Sequence, residues 1–359
     1  MRYIKRVLLP LLCCVLVLSG CSSPFVEDNT VEEVAPVTFW SLNKGENGSL
    51  EITTLNPPVL DEKKRLFTKL NVDLLKQVKK DFNLKFYREL KLGQLRMLFI
   101  NENLAKKEII SLINTTLSDP DVSPRLYLVL VKGNFEKYLE KEKNEHENLD
   151  YFLYRMFRHY ERRNQGEMTI VNIHEFMEKV YSSYSDPVLP IFKVNEKKFT
   201  YEGTAFFKHK DYVGSVKDME DQMFQLLAND HYLKNLPLSP LKVSLGQVRS
   251  RVHMKVDRNY KTLSIKVHVK GRINEYRGHR NILSSSEMRK LNKDIESYLE
   301  GQSMDLVKKT QKLKAEPLEV GAHTLSPLLQ PMSRKEWLNY YENMKVKVDY
   351  IVKIEPLSL

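Results

Sequence analysis

The stretch Val248-Arg249-Ser250-Arg251-Val252-His253-Met254-Lys255-Val256, followed after Asp257 to Lys261 by Leu263-Ser264-Ile265-Lys266-Val267-His268-Val269, decides the fold class of this chain. Apolar Val248, Val252, Met254 and Val256 alternate with Arg249, Arg251, His253 and Lys255, and the second run alternates again. Successive side chains of a strand point to opposite faces, so this period of two predicts a long antiparallel hairpin with one face buried. Downstream, Ser284 stands three residues before Glu287, the spacing of a capping box, ahead of an apolar stripe at Met288, Leu291, Ile295, Tyr298 and Leu299. That pattern predicts a helix. Val346, Val348, Tyr350, Val352 and Ile354 then alternate with Lys and Asp in a final strand. Hairpin, long helix and returning strand make an α+β unit, a C-terminal antiparallel sheet carrying one long helix.

Upstream the periods mix. Ser49 to Leu55 reads as a strand ending at Pro57-Pro58, and Leu66, Leu70, Leu74 and Val78 recur every four residues, which predicts an amphipathic helix. Leu95 to Ile100 and Arg125 to Lys132 read as strands, with Asn101 or Asn103 capping a helix that carries Ile109, Ile110, Leu112 and Ile113. The alternation predicts a sheet covered on one side by helices. Glu136 to Glu147, dense in Lys and Glu, reads as a solvated helix face, and the aromatic crowd Tyr151, Phe152, Tyr154, Phe157 and Tyr160 as core. Val171 to Tyr181 reads as a helix, Phe199 to Phe207 as a strand in which Gly203 permits a bulge or close approach, and Asp218 to Ala228 as a short helix. The expectation is a multi-domain α+β protein with mixed or antiparallel sheets flanked by helices.

The first twenty-one residues decide location. Arg2, Lys5 and Arg6 precede an apolar run from Val7 to Leu18, too short to span a bilayer, and Leu18-Ser19-Gly20-Cys21 is the signature of a bacterial lipoprotein. Cleavage is expected between Gly20 and Cys21, whose thiol would carry a thioether-linked diacylglycerol and whose amine a further acyl chain. The resulting division is 1–20 signal peptide, 21–36 flexible tether, 37–195 N-terminal α+β domain and 196–359 C-terminal α+β domain. The break at Ser185-Asp186-Pro187 with Pro190 ends the first domain. The second is read either whole or split into 196–240, a small middle domain, and 241–359, the hairpin-helix-strand domain.

All three cysteines, Cys13, Cys14 and Cys21, lie in or at the end of the leader, so a chain starting at Cys21 has no disulfide and no thiolate metal site. Its core must hold it together. The formal charge of +11 becomes +8 from Cys21 onward. These positives are scattered through mixed-charge segments without the aromatic interleaving of a strand binder, which argues against nucleic acid. Lys and Arg beside anionic lipid are one use for them; a Lys-rich solvated surface is the other.

Catalytic patterns are missing from the sequence. It has no glycine-rich phosphate loop and no Gly-x-Ser-x-Gly elbow, and His174-Glu175 is followed at the zinc-protease position by Glu178. His253 and His268 share the charged face of the hairpin, but no third ligand is in view, and the pair is read as solvated. Asp218, Glu220 and Asp221 could serve hydrolysis, yet acids at a helix start are commoner as partners of its dipole. The residues thus point to a non-enzymatic interaction protein, without catalytic residues, cofactor or metal.

Several short motifs carry a resemblance. Gly93-Gln94-Leu95, Phe99-Ile100-Asn101-Glu102, Ser118-Asp119-Pro120-Asp121 and Tyr127-Leu128-Val129-Leu130-Val131 resemble, in this order, the Ger(x)C spore-germination lipoproteins, the C subunits of nutrient-germinant receptors. Asp186-Pro187-Val188-Leu189-Pro190 is similar to that family's inter-domain signature, and Glu202-Gly203-Thr204-Ala205-Phe206-Phe207 to its Gly-Thr-Ala-x-Phe strand. The hairpin Val248 to Tyr276, the helix from Ser284 and the ending Trp337 to Ile354 resemble its C-terminal domain. In one respect the chain departs: the family usually has Trp-Asp directly after the lipidated Cys, whereas Ser22-Ser23 stands here.

The resemblance implies a protein lipid-anchored to the outer face of the spore inner membrane, working beside multi-spanning A and B subunits. Its implied role is to help assemble the receptor or transmit its state when amino acids, sugars or nucleosides trigger ion release; germinant binding by this subunit itself is not expected. Two other readings stay open, a substrate-capturing lipoprotein of a transporter and a lipid-anchored hydrolase.

Overall fold

A computed structural model describes residues 34–56, 66–86, 88–142, 149–163, 165–195, 198–228, 232–325, 330 and 332–355. The N-terminal half runs β1 (Val34–Pro36), β2 (Phe39–Lys44), β3 (Leu50–Asn56), β4 (Leu66–Val72), α1 (Gln77–Lys85), β5 (Glu89–Lys91), β6 (Met97–Asn101), α2 (Glu102–Leu117), β7 (Tyr127–Lys132), α3 (Phe135–Glu142), α4 (Leu149–Arg162) and α5 (Ile173–Tyr181). There follow β8 (Val188–Asn195), β9 (Lys198–Lys208), β10 (Asp211–Lys217), α6 (Asp218–Ala228), β11 (Tyr232–Leu238), β12 (Val243–Val256), β13 (Thr262–Tyr276), α7 (Ser285–Leu313), α8 (Arg334–Asn343) and β14 (Lys345–Glu355).

Eight strands form the larger sheet in the order β10-β9-β8-β7-β6-β2-β3-β4. Its centre, β8-β7-β6-β2, is parallel, and antiparallel arms extend it on both sides. Helices cover both faces, not one. Leu98, Ile100, Leu128 and Leu130 join the core that contains α1, α2 and α5, while their neighbours Phe99, Val129 and Val131 pack with Phe135, Leu153 and Phe157 of α3 and α4. Parallel strands fed by crossover helices are buried on both sides, which is why Leu128 to Val131 is apolar without alternation.

Four more strands form the second sheet in the order β11-β12-β13-β14. The hairpin forms as its alternation predicts, with Leu263, Ile265, Val267 and Val269 buried. The long α7 then carries the chain across the sheet, and β14 returns parallel to β13. Gly203 sits at φ +155 in β9, where a Cβ would collide with the Val216 carbonyl of β10. Such close approach requires glycine.

Several local readings are corrected. Leu66 to Val72 is a strand, and the helix starts only at Gln77. A spacing of four is even, so it keeps residues on one face of a strand as well as a helix; Leu70 is buried in β4, Val78 in α1, and Leu74 between them is 64% exposed. Val34–Pro36, read with the tether, pairs with β5. The expected division at 195/196 keeps its place between β8 and β9; these two strands pair in one sheet, and the strands of 198–240 belong to both sheets. In the Lys/Glu-rich helix Glu136 is tied down by Thr53 and Asn43, and Glu142 is buried. Of the aromatic crowd, Phe157 is core but Tyr151 and Phe152 are each 54% exposed. Ser284 caps no backbone N–H: its hydroxyl meets Ser286, and Glu287 pairs with Lys290. Capping boxes form instead at Asn172–Glu175 and Ser333–Glu336.

Candidate functional site

The break at Ser185-Asp186-Pro187 is a joint between the two sheets. Asp186 is wholly buried, and its carboxylate accepts from the backbone N–H of His209 (2.5 Å) and Glu316 (2.8 Å) and from the Arg334 guanidinium. The Asp186 N–H in turn donates to the Glu316 carbonyl (2.8 Å), and Arg334 also donates to the carbonyl of Ser182 (2.9 Å). Nearby Tyr184 donates to the Met332 carbonyl (3.1 Å) and tilts against Trp337. Burial holds the Glu316 carboxyl well above its ordinary range. With its oxygens taken up by backbone amides and a guanidinium, Asp186 fixes the helix-α8 end of one region to the start of β8 in the other.

Beside this joint lies a cavity of about 600 Å³. Tyr160 and Glu161 of α4, Phe176 and Lys179 of α5, Phe224 and Gln225 of α6 contribute to its walls, with Val188 of β8 and the 317–319 turn. The 165–171 segment supplies Gln165 and Thr169. A buried polar chain stands behind one wall. Gln225 Nε2 donates to Thr169 Oγ1 (2.6 Å), Thr169 and Thr204 share a hydrogen bond (2.5 Å), Thr204 donates to Asp221 Oδ1 (2.6 Å), and Tyr201 donates to Asp221 Oδ2 (2.8 Å). Burial pushes the Asp221 carboxyl up to about 6, against the bonds from Thr204 and Tyr201 that pull it down. Burial and the Asp221 charge raise the Tyr201 hydroxyl. Both Asp221 oxygens are engaged by protein hydroxyls, so this carboxylate braces the cavity wall.

The acidic trio therefore separates. Asp221 is 4% exposed and joins the buried chain, Glu220 pairs with Lys309 of α7 (2.6 Å), and Asp218 opens α6. Sequence reasoning passed over Gln165, Thr169, Tyr201, Thr204 and Gln225. One signal is visible: Asp221 and Gln225, four apart, share a helix face with Phe224, and a polar pair in an apolar stripe needs partners. His253 and His268 meet diagonally with ring centroids 6.0 Å apart, opposite Lys266 and Arg251. Glu175, next to His174, closes a helix cap. Among the described residues no group of three His, Cys, Asp or Glu is placed to hold a metal, and no helix is long and apolar enough to cross a membrane. Cys21 and the Gly20–Cys21 cleavage point lie outside the described residues.

Comparison with known proteins covers nearly the whole chain. Residues 28–194 match the family described as spore germination protein N-terminal domain, and residues 202–357 match spore germination B3/GerAC like, C-terminal. The chain is 23% identical over 273 residues to the spore germination protein GerQC of Bacillus cereus, covering 74% of this chain and 75% of that protein. Its fold is similar to the crystal structure of the GerBC protein, with a TM-score of 0.54 at 13% identity, over 89% of this chain and 97% of that one. With both family domains present in order, the chain belongs to the Ger(x)C family, the C subunits of germinant receptors.

Proposed function

We propose that this chain is a non-enzymatic, lipid-anchored subunit of a spore nutrient germinant receptor. Anchored through Cys21 on the outer face of the spore inner membrane, it helps multi-spanning A and B subunits assemble or signal at the start of germination. The observation that carries this reading is the match of both family domains across residues 28–357. The leader ending in Leu18-Ser19-Gly20-Cys21 supports the anchor, and the buried, hydroxyl-engaged Asp221 supports a role without turnover.

The test is a pull-down of the tagged protein from detergent-solubilised spore membranes, comparing wild type with Cys21→Ala. Two multi-spanning subunits should co-purify with the wild type and be lost with the variant. Recovery of the wild type alone, or with a transporter, would sink the receptor assignment and favour substrate capture.

A further inference from the structure

We propose that the open face of the four-stranded sheet docks on an anionic phospholipid surface. The proposal rests on the membrane location given above and is independent of the other subunits. Register lines the cations of this face up in rows. Arg249 of β12 lies beside Lys270 of β13, which lies beside Lys353 of β14. Along the strands follow Arg251 beside His268 and Ile351, then His253 beside Lys266 and Asp349, then Lys255 and Lys347 flanking Ser264. Every Lys and Arg in these rows is exposed, and Asp349 is their one carboxylate. The next row, Arg272 beside Glu355, is neutral. This face therefore holds most of the +8 that the chain carries from Cys21 onward.

Such an arrangement works against the fold that carries it. Neighbouring strands lie about 5 Å apart and alternate residues of a strand about 7 Å, both within a Debye length of about 8 Å. Like charges directly opposed across strands destabilise a sheet. Nothing in the protein relieves them: among the described residues no ion pair holds any of these Lys or Arg side chains, and the salt bridges of this half join others, such as Arg280 with Asp294 and Lys314 with Glu342. A one-signed array on a single face sets up a field that an anionic surface neutralises.

The makeup of the face selects lipid over an acidic protein. Protein interfaces are poor in Lys at their centre and rich in aromatic anchors, whereas the middle of these rows is Arg, Lys and His and their only apolar side chain is Ile351. A bilayer rich in anionic headgroups attracts Lys and Arg through its averaged potential, without matched pockets. The leader ending in Leu18-Ser19-Gly20-Cys21 brings the chain to such a surface.

The test is lysine acylation by a water-soluble reagent, read by mass spectrometry, on the full chain added to vesicles of phosphatidylcholine alone or mixed with phosphatidylglycerol. Flotation with phosphatidylcholine alone reports the anchor, because a neutral surface offers the sheet face nothing; what phosphatidylglycerol adds reports the face. The mixed vesicles should slow labelling of Lys255, Lys266, Lys347 and Lys353 about threefold or more. Exposed Lys80 of α1 and Lys107 of α2 serve as references and should label alike on both. Protection should vanish at about 1 M salt, where the Debye length falls to about 3 Å. Lys266→Glu with Lys270→Glu, both at exposed positions, should also abolish it at Lys347 and Lys353 without lowering the thermal midpoint; the salt comparison needs no variant. Equal labelling on the two vesicle types, protection shared by Lys80 and Lys107, or protection that survives the salt overturns the proposal. So do face lysines that label freely on both vesicles but are shielded in intact spore membranes, the result expected of an acidic protein partner.

Discussion

The central strands of the eight-stranded sheet are buried on both faces and the four-stranded sheet on one, and their sequences differ accordingly. In β7 every residue from Tyr127 to Val131 is buried, and alternate side chains feed two separate cores. In β13 buried Leu263, Ile265, Val267 and Val269 alternate with Ser264, Lys266, His268 and Lys270 on the open face. One-sided sheets declare their register in the sequence, because a slip of one residue would bury Lys266 and expose Ile265. Two-sided sheets declare only that they are buried, and their register rests on the helices above and below.

The comparison is sharpest where the two regions join. Asp186→Ala would strand the Arg334 guanidinium and leave the Glu316 and His209 amides without their acceptor. Removing one partner of a buried pair costs about 3–5 kcal/mol, so this should be the largest effect. The two tryptophans report on it, Trp40 within the larger sheet and Trp337 at the joint. In single-tryptophan backgrounds, urea unfolding of the wild type should give coincident transitions, and the variant should unfold first at Trp337. Coincident transitions in the variant would mean that the joint does not couple the regions.

Neighbouring substitutions test burial on two faces against burial on one. Leu98→Ala and Phe99→Ala should each cost about 2–5 kcal/mol, because adjacent residues of β6 sit in different cores. In β13, Ile265→Ala should cost about as much, but Lys266→Ala should stay within about 0.5 kcal/mol. Equal tolerance at Leu98 and Lys266 in denaturant melts would erase the distinction.

How much was legible follows the same line. The hairpin, α7 and β14 stood in the sequence because alternation and a helical stripe are unambiguous when one face meets water. The Leu66-to-Val78 spacing misled because four residues return to the same face in either geometry, and only packing distinguishes β4 from α1. The one-sided covering expected for the larger sheet failed for a physical reason, since wholly apolar strands hide which helices lie on which face. For the candidate site, Asp221 was visible but read as a dipole partner. Its companions Thr169, Thr204 and Tyr201 lie 52, 17 and 20 residues away in sequence and meet it only through the fold, directly for Thr204 and Tyr201 and through Thr204 for Thr169.

Asp221 also gives the larger region a pH signature. Its folded pKa of about 6 lies above the ordinary 3.8, so the folded state binds the proton more tightly than the unfolded state does. Stability from this group is therefore present at low pH and falls as pH rises from about 4 to 6, by about 2–3 kcal/mol at 1.36 kcal/mol per unit, with no further change above. Asp221→Asn should remove that slope. Wild type and variant melted across pH 4 to 7 should differ in slope over this window; parallel curves would mean that Asp221 titrates as an ordinary carboxylate.

The smallest effect concerns the exposed margin of the one-sided sheet. Parallel pairing with β13 leaves alternate N–H groups of β14 pointing outward, a row that invites another strand. Two of them are covered from α7: Glu300 Oε1 accepts from Tyr350 N–H at 3.0 Å and Glu296 Oε1 from Val352 N–H at 2.9 Å. The helical spacing of four and the strand spacing of two bring these carboxylates over successive outward amides. Replacing both by Ala should cost about 1–2 kcal/mol, since charge-assisted bonds are lost but water reaches the freed amides. Hydrogen exchange at Tyr350 and Val352 should quicken while the inward Ile351 amide, shielded by β13, stays protected. Sedimentation of the double variant should reveal more self-association than that of the wild type, through the bared edge. If exchange at the two outward amides were unchanged, the α7 carboxylates would not be what shields this edge.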